Sequence, residues 1–247
     1  MAFQTVFRRY ELKYLITKEQ KKEILARIGP HIIPDRYGES TVRNIYFDTD
    51  SYRLIRRSIE KPAYKEKLRI RSYQKVQRNT KVFVELKKKY DSVVYKRRIA
   101  MDEAEALGWI RTDTSPPDTQ IGREIDYFVS YYAPLKPKVL ITYKRQAYYA
   151  VNEPDFRVTF DEDILCRRED VSLGSEIYGD RILDERKVLM EIKTAGGIPL
   201  WMTRVLSDMK IYKTSFSKYG VAYQTGIFPK LHTAKAIRNK EESGCVF

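Results

Sequence analysis

Residues 65–71 alternate without a break. Lys65, Lys67, Arg69 and Arg71 are interleaved with Glu66, Leu68 and Ile70. In an extended chain residues i and i+2 share a face, so this stretch reads as a strand with four cations on one side. On a helix, at about 100° per residue, the same residues would point all round the axis. The design recurs along the chain. Arg9, Glu11 and Lys13 oppose Tyr10, Leu12, Tyr14 and Ile16, and Phe83, Glu85 and Lys87 oppose Val82, Val84 and Leu86. Lys96 and Arg98 lie on a predicted strand from Val93 to Ala100, and Tyr143 and Arg145 share a face within 138–149. Arg157, Thr159 and Asp161 oppose Phe156, Val158 and Phe160, while Glu191 and Lys193 oppose Val188, Met190 and Ile192. Three of these strands carry the same pair, Glu-x-Lys, at Glu11/Lys13, Glu85/Lys87 and Glu191/Lys193.

Helical signals separate the strands. Thr17 with Gln20 forms a capping-box pattern ahead of Ile24, Leu25 and Ile28, and Gly29-Pro30 closes that helix. A strand over Thr41–Asp48 runs into a short helix over 50–56. Asp48 is expected to cap that helix, and Tyr46 and Phe47 to pack in the core. Asp102 and Glu105 start a helix over Ala104–Ile110, and two more are predicted over 118–133 and 199–209. The segments amount to seven or eight strands with no linker between them. This predicts a single domain over 1–229 followed by a frayed basic tail over 230–247.

Charge and composition narrow the partner. The 247-residue chain has 47 Lys plus Arg against 33 Asp plus Glu, a net +14. With 43% hydrophobic residues it is no disordered basic tail, so the surplus points to a polyanion. Cys166 and Cys245 give no disulfide framework, and with His31 and His232 the only histidines, a Cys/His metal site and a His-based triad are both excluded. No apolar run reaches the roughly 18 residues of a membrane helix, and the start MAFQTVFRRYELKY has no signal-peptide pattern. A soluble, cytoplasmic protein with no membrane segment is expected.

A strand's charged face is ordinarily solvated, and Glu-x-Lys neighbours are ordinarily cross-strand ion pairs. Here cations far outnumber anions on the charged faces, whereas a solubility surface mixes the signs freely. The alternative to a sheet with a solvated polar face is a closed barrel, its apolar faces packed against the helices and its charged faces lining a tunnel. Such a tunnel suits a narrow, extended, densely anionic ligand, and a nucleic-acid duplex would not enter it. Its glutamates, Glu191, Glu11 and Glu85, would hold a hard divalent ion, Mg²⁺ or Mn²⁺, shared with phosphate oxygens. Arg69 and Arg71 stand out, because paired arginines flanked by Leu68 and Ile70 are costly unless an anion is present.

These residues resemble a known family. Arg9-Tyr-Glu-Leu-Lys-Tyr14, Arg43-Asn-Ile-Tyr-Phe-Asp48, Leu68-Arg-Ile-Arg71 and Ser215-Phe-Ser-Lys-Tyr-Gly220 carry the likeness, with Val84-Glu-Leu-Lys87, Tyr143-Lys-Arg145 and Met190-Glu-Ile-Lys193 between them. In this order they are similar to the VTC-type polyphosphate polymerase domain of the triphosphate tunnel metalloenzymes (the CYTH-like superfamily), in its stand-alone bacterial form. The resemblance implies an α+β fold, a closed antiparallel eight-stranded β-barrel with helices packed on the outside, and transfer of the γ-phosphate of ATP to a growing polyphosphate chain, with Mn²⁺ favoured. ATP and inorganic polyphosphate or triphosphate would be the partners, and DNA would not. By motif position Lys13, Arg69, Arg71 and Lys193 would be catalytic. Lys87, Arg98, Tyr143, Arg145, Arg157, Ser217 and Lys218 would bind substrate, and Glu191 would be the main metal ligand. On the Arg98 strand the register leaves Lys96 and Arg97 as alternatives. One departure is Arg9, where the tunnel hydrolases have a second glutamate, which weakens a second metal site and water activation. Three other readings stay open. They are a triphosphate hydrolase on the same tunnel, a non-catalytic polyphosphate or nucleotide sensor, and a single-strand RNA-binding module. The last lacks an RNP-type aromatic motif and would set glutamates against an RNA backbone.

Overall fold

A computed structural model describes residues 6–91 and 93–229. The predicted basic tail lies outside them. The alternating segments become β1 (Val6–Thr17), β2 (Ile32–Asp48), β3 (Tyr64–Ser72), β4 (Lys81–Tyr90) and β5 (Val93–Asp102). The second half adds β6 (Lys136–Ala150), β7 (Arg157–Arg167), a two-residue β8 (Asp180–Arg181) and β9 (Lys187–Thr194). They form one antiparallel sheet in the order β6-β2-β3-β4-β5-β1-β9-β7-β8, and β6 also pairs with β7. Six α-helices accompany the sheet among the described residues: α1 (Lys18–Ile28), α2 (Arg53–Ile59), α3 (Glu103–Ile110), α4 (Gln120–Tyr132), α5 (Leu200–Asp208) and α6 (Lys218–Ala222). The α+β, antiparallel class expected from the sequence is what is observed.

The apolar faces of the strands meet the helices. Ile45, Leu68, Ile70, Val84 and Leu86 of β2–β4 pack against Trp109 of α3 and Ile125, Phe128 and Val129 of α4. On the other side Ile16, Val158, Phe160, Met190 and Ile192 pack against Ile24 and Ile28 of α1 and Met202, Val205 and Leu206 of α5. Burying an aliphatic or aromatic side chain of this size contributes about 1.5–3 kcal/mol, so these contacts set which face of each strand is left for the charges.

Local signals placed several boundaries correctly. Thr17 Oγ1 accepts from the Gln20 backbone N–H (3.1 Å) and Gln20 Oε1 accepts from the Thr17 N–H (2.9 Å), the predicted capping box. Others moved. β2 begins at Ile32 and not at Thr41, with a register shift between Pro34 and Glu39 where Gly38 takes a φ of +56°. The helix expected over 50–56 starts at Arg53, because Tyr52 adopts a left-handed φ of 57°. Asp48 Oδ1 and Oδ2 then reach forward to the N–H groups of Leu54 (2.9 Å) and Ile55 (3.0 Å).

The charged faces are not charged from end to end. On β6, Val139 and Ile141 continue the face of Tyr143, and on β9 Leu189 continues the face of Glu191. These residues form a third apolar cluster with Ile164 of β7, Ile55 of α2 and Phe216, Tyr219 and Tyr223 of the C-terminal segment. The C-terminal turn, with α6 and the π-helical residues Tyr223–Ile227, packs into this cluster.

Candidate functional site

The charged faces border one cavity of about 1930 Å³. Its centre is Glu191, buried on β9. Lys218 Nζ (3.2 Å) and Lys13 Nζ (3.9 Å) face Glu191 Oε1, while Lys193 Nζ (3.2 Å) and Arg145 Nη2 (3.6 Å) face Oε2. Burial by itself would raise the Glu191 carboxyl; these four cations outweigh it and hold the group well below the ordinary range. Beneath it, fully buried Asp161 accepts both prongs of the Arg145 fork (2.6 Å each) and Lys218 Nζ (2.5 Å). The fork–fork geometry fixes the guanidinium plane. Burial would lower Lys218, but Asp161 and Glu191 raise it above its usual value, so it stays cationic.

The β1–β9 register sets Lys13 opposite Glu191 and Glu11 opposite Lys193, so the two glutamates are diagonal neighbours. Glu11 binds Lys87 Nζ (2.5 Å), and Lys13 Nζ also donates to the Phe216 carbonyl (2.5 Å). Burial lowers Lys13, Glu191 partly restores it, and Lys87 and Lys218 lower it further. Lys193 falls to about 7, burial being the main cause.

A second network lies on β2–β5. Arg69 donates through Nε (2.9 Å) and Nη2 (2.6 Å) to Glu85 Oε2, and Lys96 Nζ donates to Oε1 (3.2 Å). Arg69 Nη1 also reaches the Tyr46 hydroxyl (3.0 Å). Arg71 holds Asn44 Oδ1 (2.8 Å) and the Tyr143 hydroxyl (2.9 Å). Both arginines are thus fixed in place, and both line the cavity.

The structure brings nearly all the sequence-predicted residues to this one cavity. Lys13, Arg69, Arg71, Lys87, Tyr143 and Arg145 line it. So do Arg98, Arg157, Glu191, Lys193, Ser217 and Lys218. On β5 Arg98 and its alternative Lys96 line it, whereas the other alternative, Arg97, donates through Nε to Glu124 Oε2 (2.9 Å) on α4. Arg157 binds Asp35 Oδ2 (2.6 Å) through Nη2, and its buried Nε has no hydrogen-bond partner among the described residues. Glu85 departs from its expected role. It is 0% exposed and both its oxygens are engaged by Arg69 and Lys96, so it orders cations in the wall. Among the described residues no three carboxylate, histidine or cysteine side chains converge on one point, so Glu191, Glu11 and Glu85 are not a single three-ligand site.

The donor set still fits a hard cation. Glu191 and Glu11 both border the cavity, and ions of the Mg²⁺ type commonly take one or two carboxylates and complete their shell with substrate phosphate and water. Asp161 does not add a ligand, because unlike Glu191 and Glu11 it does not border the cavity, and its oxygens serve to hold Arg145 and Lys218. Sequence reasoning missed Asp161, Lys67 and Tyr46 as parts of the site. The alternation had already put Asp161 and Lys67 on charged faces; Tyr46 was read as core because nothing local shows that its hydroxyl meets Arg69.

The geometry can be set beside known proteins. A family profile described as the VTC domain matches residues 8–226. The chain belongs to the VTC domain family. The likeness read from the tandem Glu-x-Lys strands therefore holds over almost the whole chain. No curated protein matches the VTC chain at the sequence level. Among solved structures, a putative adenylate cyclase from Bacillus halodurans superposes with a TM-score of 0.55 at 15% identity, covering 87% of this chain and 96% of that one. It shares the fold. A putative adenylate cyclase from Vibrio parahaemolyticus (TM-score 0.45, 9% identity, 89% and 98% covered) is more distant. So is a chain of the Schizosaccharomyces pombe Mediator head module (0.46, 8%, 83% and 92%). Family and fold together support a triphosphate tunnel domain. No helix among the described residues is long and apolar enough to cross a membrane.

Proposed function

We propose that the eight long strands wrap the cavity as a tunnel, in which the chain transfers the γ-phosphate of ATP to the end of a growing inorganic polyphosphate. The β6–β7 pairing supports the wrapping, since it joins two strands that lie far apart in the sheet order. The observation that carries the reaction is the ring of Lys13, Arg145, Lys193 and Lys218 around one buried carboxylate, Glu191.

Phosphoryl transfer needs positioning and charge neutralisation more than covalent chemistry. Lys13, Lys193 and Arg157 bind the oxygens of the triphosphate, and Arg69 and Arg71 hold the acceptor. An oxygen of the acceptor's terminal phosphate attacks the γ-phosphorus, the bond from that phosphorus to the β–γ bridging oxygen breaks, and ADP leaves with that oxygen. The attacking oxygen is already anionic, so no general base is required. Glu191 and Glu11 would hold a divalent cation, whose charge would offset the one developing on the phosphate oxygens.

Incubation with ATP and Mn²⁺ or Mg²⁺ should give acid-insoluble phosphate chains and ADP in equal turnover. Glu191→Gln, checked for folding, should lower that rate at least a hundredfold, about 2.7 kcal/mol of barrier. Release of free phosphate without chain growth makes the protein a hydrolase on the same tunnel. Full activity of Glu191→Gln removes the metal role.

A further inference from the structure

On the outer face of β3–β5, away from the cavity, four exposed tyrosines gather beside α4 and α2: Tyr64, Tyr90, Tyr127 and Tyr131. The register pairs Tyr64 with Tyr90, and Lys88 with Glu66 on one side and Tyr95 on the other. Tyr64, Lys88, Tyr90, Tyr95, Arg97 and Glu124 wall a hollow of about 290 Å³. On α4, Tyr127 stacks on Tyr131 (6.3 Å between ring centres), which meets Tyr132 edge-on (4.8 Å). Arg53 of α2 lies over both Tyr131 (5.8 Å) and Tyr132 (5.3 Å). The Tyr132 (3.3 Å) and Tyr64 (2.6 Å) hydroxyls both donate to Glu66, so the aromatic surface runs unbroken from α2 to the hollow. Its carboxylates are occupied from within. Glu66 takes those two hydroxyls and faces Lys88 (3.8 Å), and Glu124 accepts from Arg97 Nε (2.9 Å). Several of its cations have no such counterpart. Arg53, Arg56 and Arg57, at i, i+3 and i+4, share one exposed face of α2, and among the described residues none of them forms an ion pair. Arg97 Nη1 is buried without a hydrogen-bond partner among the described residues, a destabilising state for a charged donor.

We propose that this outer face docks an acidic segment of another protein, which seats an aromatic side chain in the hollow and sets carboxylates on Arg53, Arg56 and Arg57. None of the side chains involved borders the cavity, so such docking is independent of the reaction proposed above. Tyrosine and arginine are the residues enriched in protein interfaces and in their energetic centres. Charge complementarity selects the partner, since unpaired guanidinium forks match carboxylates in geometry as well as sign. A second copy of this chain fits worse, because a two-fold interface would lay the surface on itself and oppose cations to cations. A bilayer also fits worse. The apolar residues of α2, Leu54 and Ile55, are buried, and the exposed rings are tyrosines where an interfacial helix would present Trp, Phe or Leu. For nucleic acid the Tyr131 ring is already covered by Tyr127, Tyr132 and Arg53, which leaves no stacking platform for a base.

The probe is a fluorescent peptide with one tryptophan between two runs of glutamate, titrated into the protein with tripolyphosphate present to fill the cavity. Wild type should bind it, and more tightly than the same peptide with serine in place of tryptophan. Arg53→Glu/Arg57→Glu should weaken binding about tenfold or more. Tyr90→Ala should remove most of the preference for tryptophan. All three positions are exposed, so both variants should keep the wild-type thermal midpoint and tripolyphosphate affinity, and loss of fold would not mimic the result. The docking face is overturned if wild type does not bind the peptide, if the two peptides bind alike, if neither variant weakens binding, or if tripolyphosphate displaces the peptide. It is also overturned if an oligoribonucleotide or vesicles of anionic lipid bind more tightly than the peptide and lose that binding in Arg53→Glu/Arg57→Glu. Concentration-dependent dimerisation abolished by the same variant would assign the face to a second copy of the chain and overturn the acidic partner.

Discussion

Lys193 shows how far one position can be pushed by its surroundings. Burial, with Arg145 and Arg157 close by, lowers its ammonium to about 7 against the opposing pull of Glu191 and Glu11. Its folded pKa lies below the ordinary lysine value of 10.5, so between about 7 and 10.5 the unfolded chain binds more protons and stability rises with pH. Lys13 and Lys67 are displaced in the same direction. An anion favours the protonated form, which gives affinity the opposite slope. Anion-free and metal-free protein should therefore show a rising thermal midpoint from pH 7 to 9, while tripolyphosphate binding becomes coupled to proton uptake. Calorimetry in buffers of different ionisation enthalpy measures that uptake, and Lys193→Met should reduce it; an uptake unchanged in the variant would place the titration elsewhere. At this scale the residue type and face of Lys193 were legible in the sequence. Its depressed pKa was not, because Arg145 and Arg157 reach it only through β7 and its neighbours.

Asp48 illustrates what decides an element. It is 0% exposed and accepts from the N–H groups of Thr49 (2.8 Å), Leu54 (2.9 Å) and Ile55 (3.0 Å) and from the Tyr219 hydroxyl (3.1 Å). It therefore starts α2 and ties that helix to the C-terminal turn 171 residues away in the chain. Asp48→Ala should cost about 3 kcal/mol, the loss of a cap plus a hydrogen bond to a charged group, read as a shift in the urea midpoint. A cost under about 0.5 kcal/mol would mean that α2 holds its place through Leu54 and Ile55 alone. Thr17, Gln20, Asp102 and Asp48 were legible as capping residues because capping is a contact over a few residues. The left-handed Tyr52 that delays α2 and the packing that makes α6 helical were not, since each depends on a surface supplied by another part of the chain.

Across the molecule, the net +14 is concentrated by the fold in a cavity of about 1930 Å³. Self-repulsion in such a space makes bound polyanion part of the protein's stability. Tripolyphosphate at a hundredfold its Kd should stabilise the fold by about 2.7 kcal/mol. Sodium chloride at the same ionic strength, which only screens, should give a smaller rise in thermal midpoint. Equal effects would show a diffuse cationic surface in place of a site.

The sequence by itself determined which segments are strands, which of their faces is apolar and that cations dominate the other, because a strand's side chains alternate by backbone geometry alone. Only the tertiary structure decided which charges meet. Lys13 reaches the Phe216 carbonyl across 203 positions, Lys67 reaches Ser217 across 150 and Lys218 reaches Asp161 across 57. The same packing withdrew Glu85 into the wall, and it filled one part of the inward face with Val139, Ile141 and Leu189. Convergence depends on strand order and register, and those are set by how the apolar faces pack as a whole.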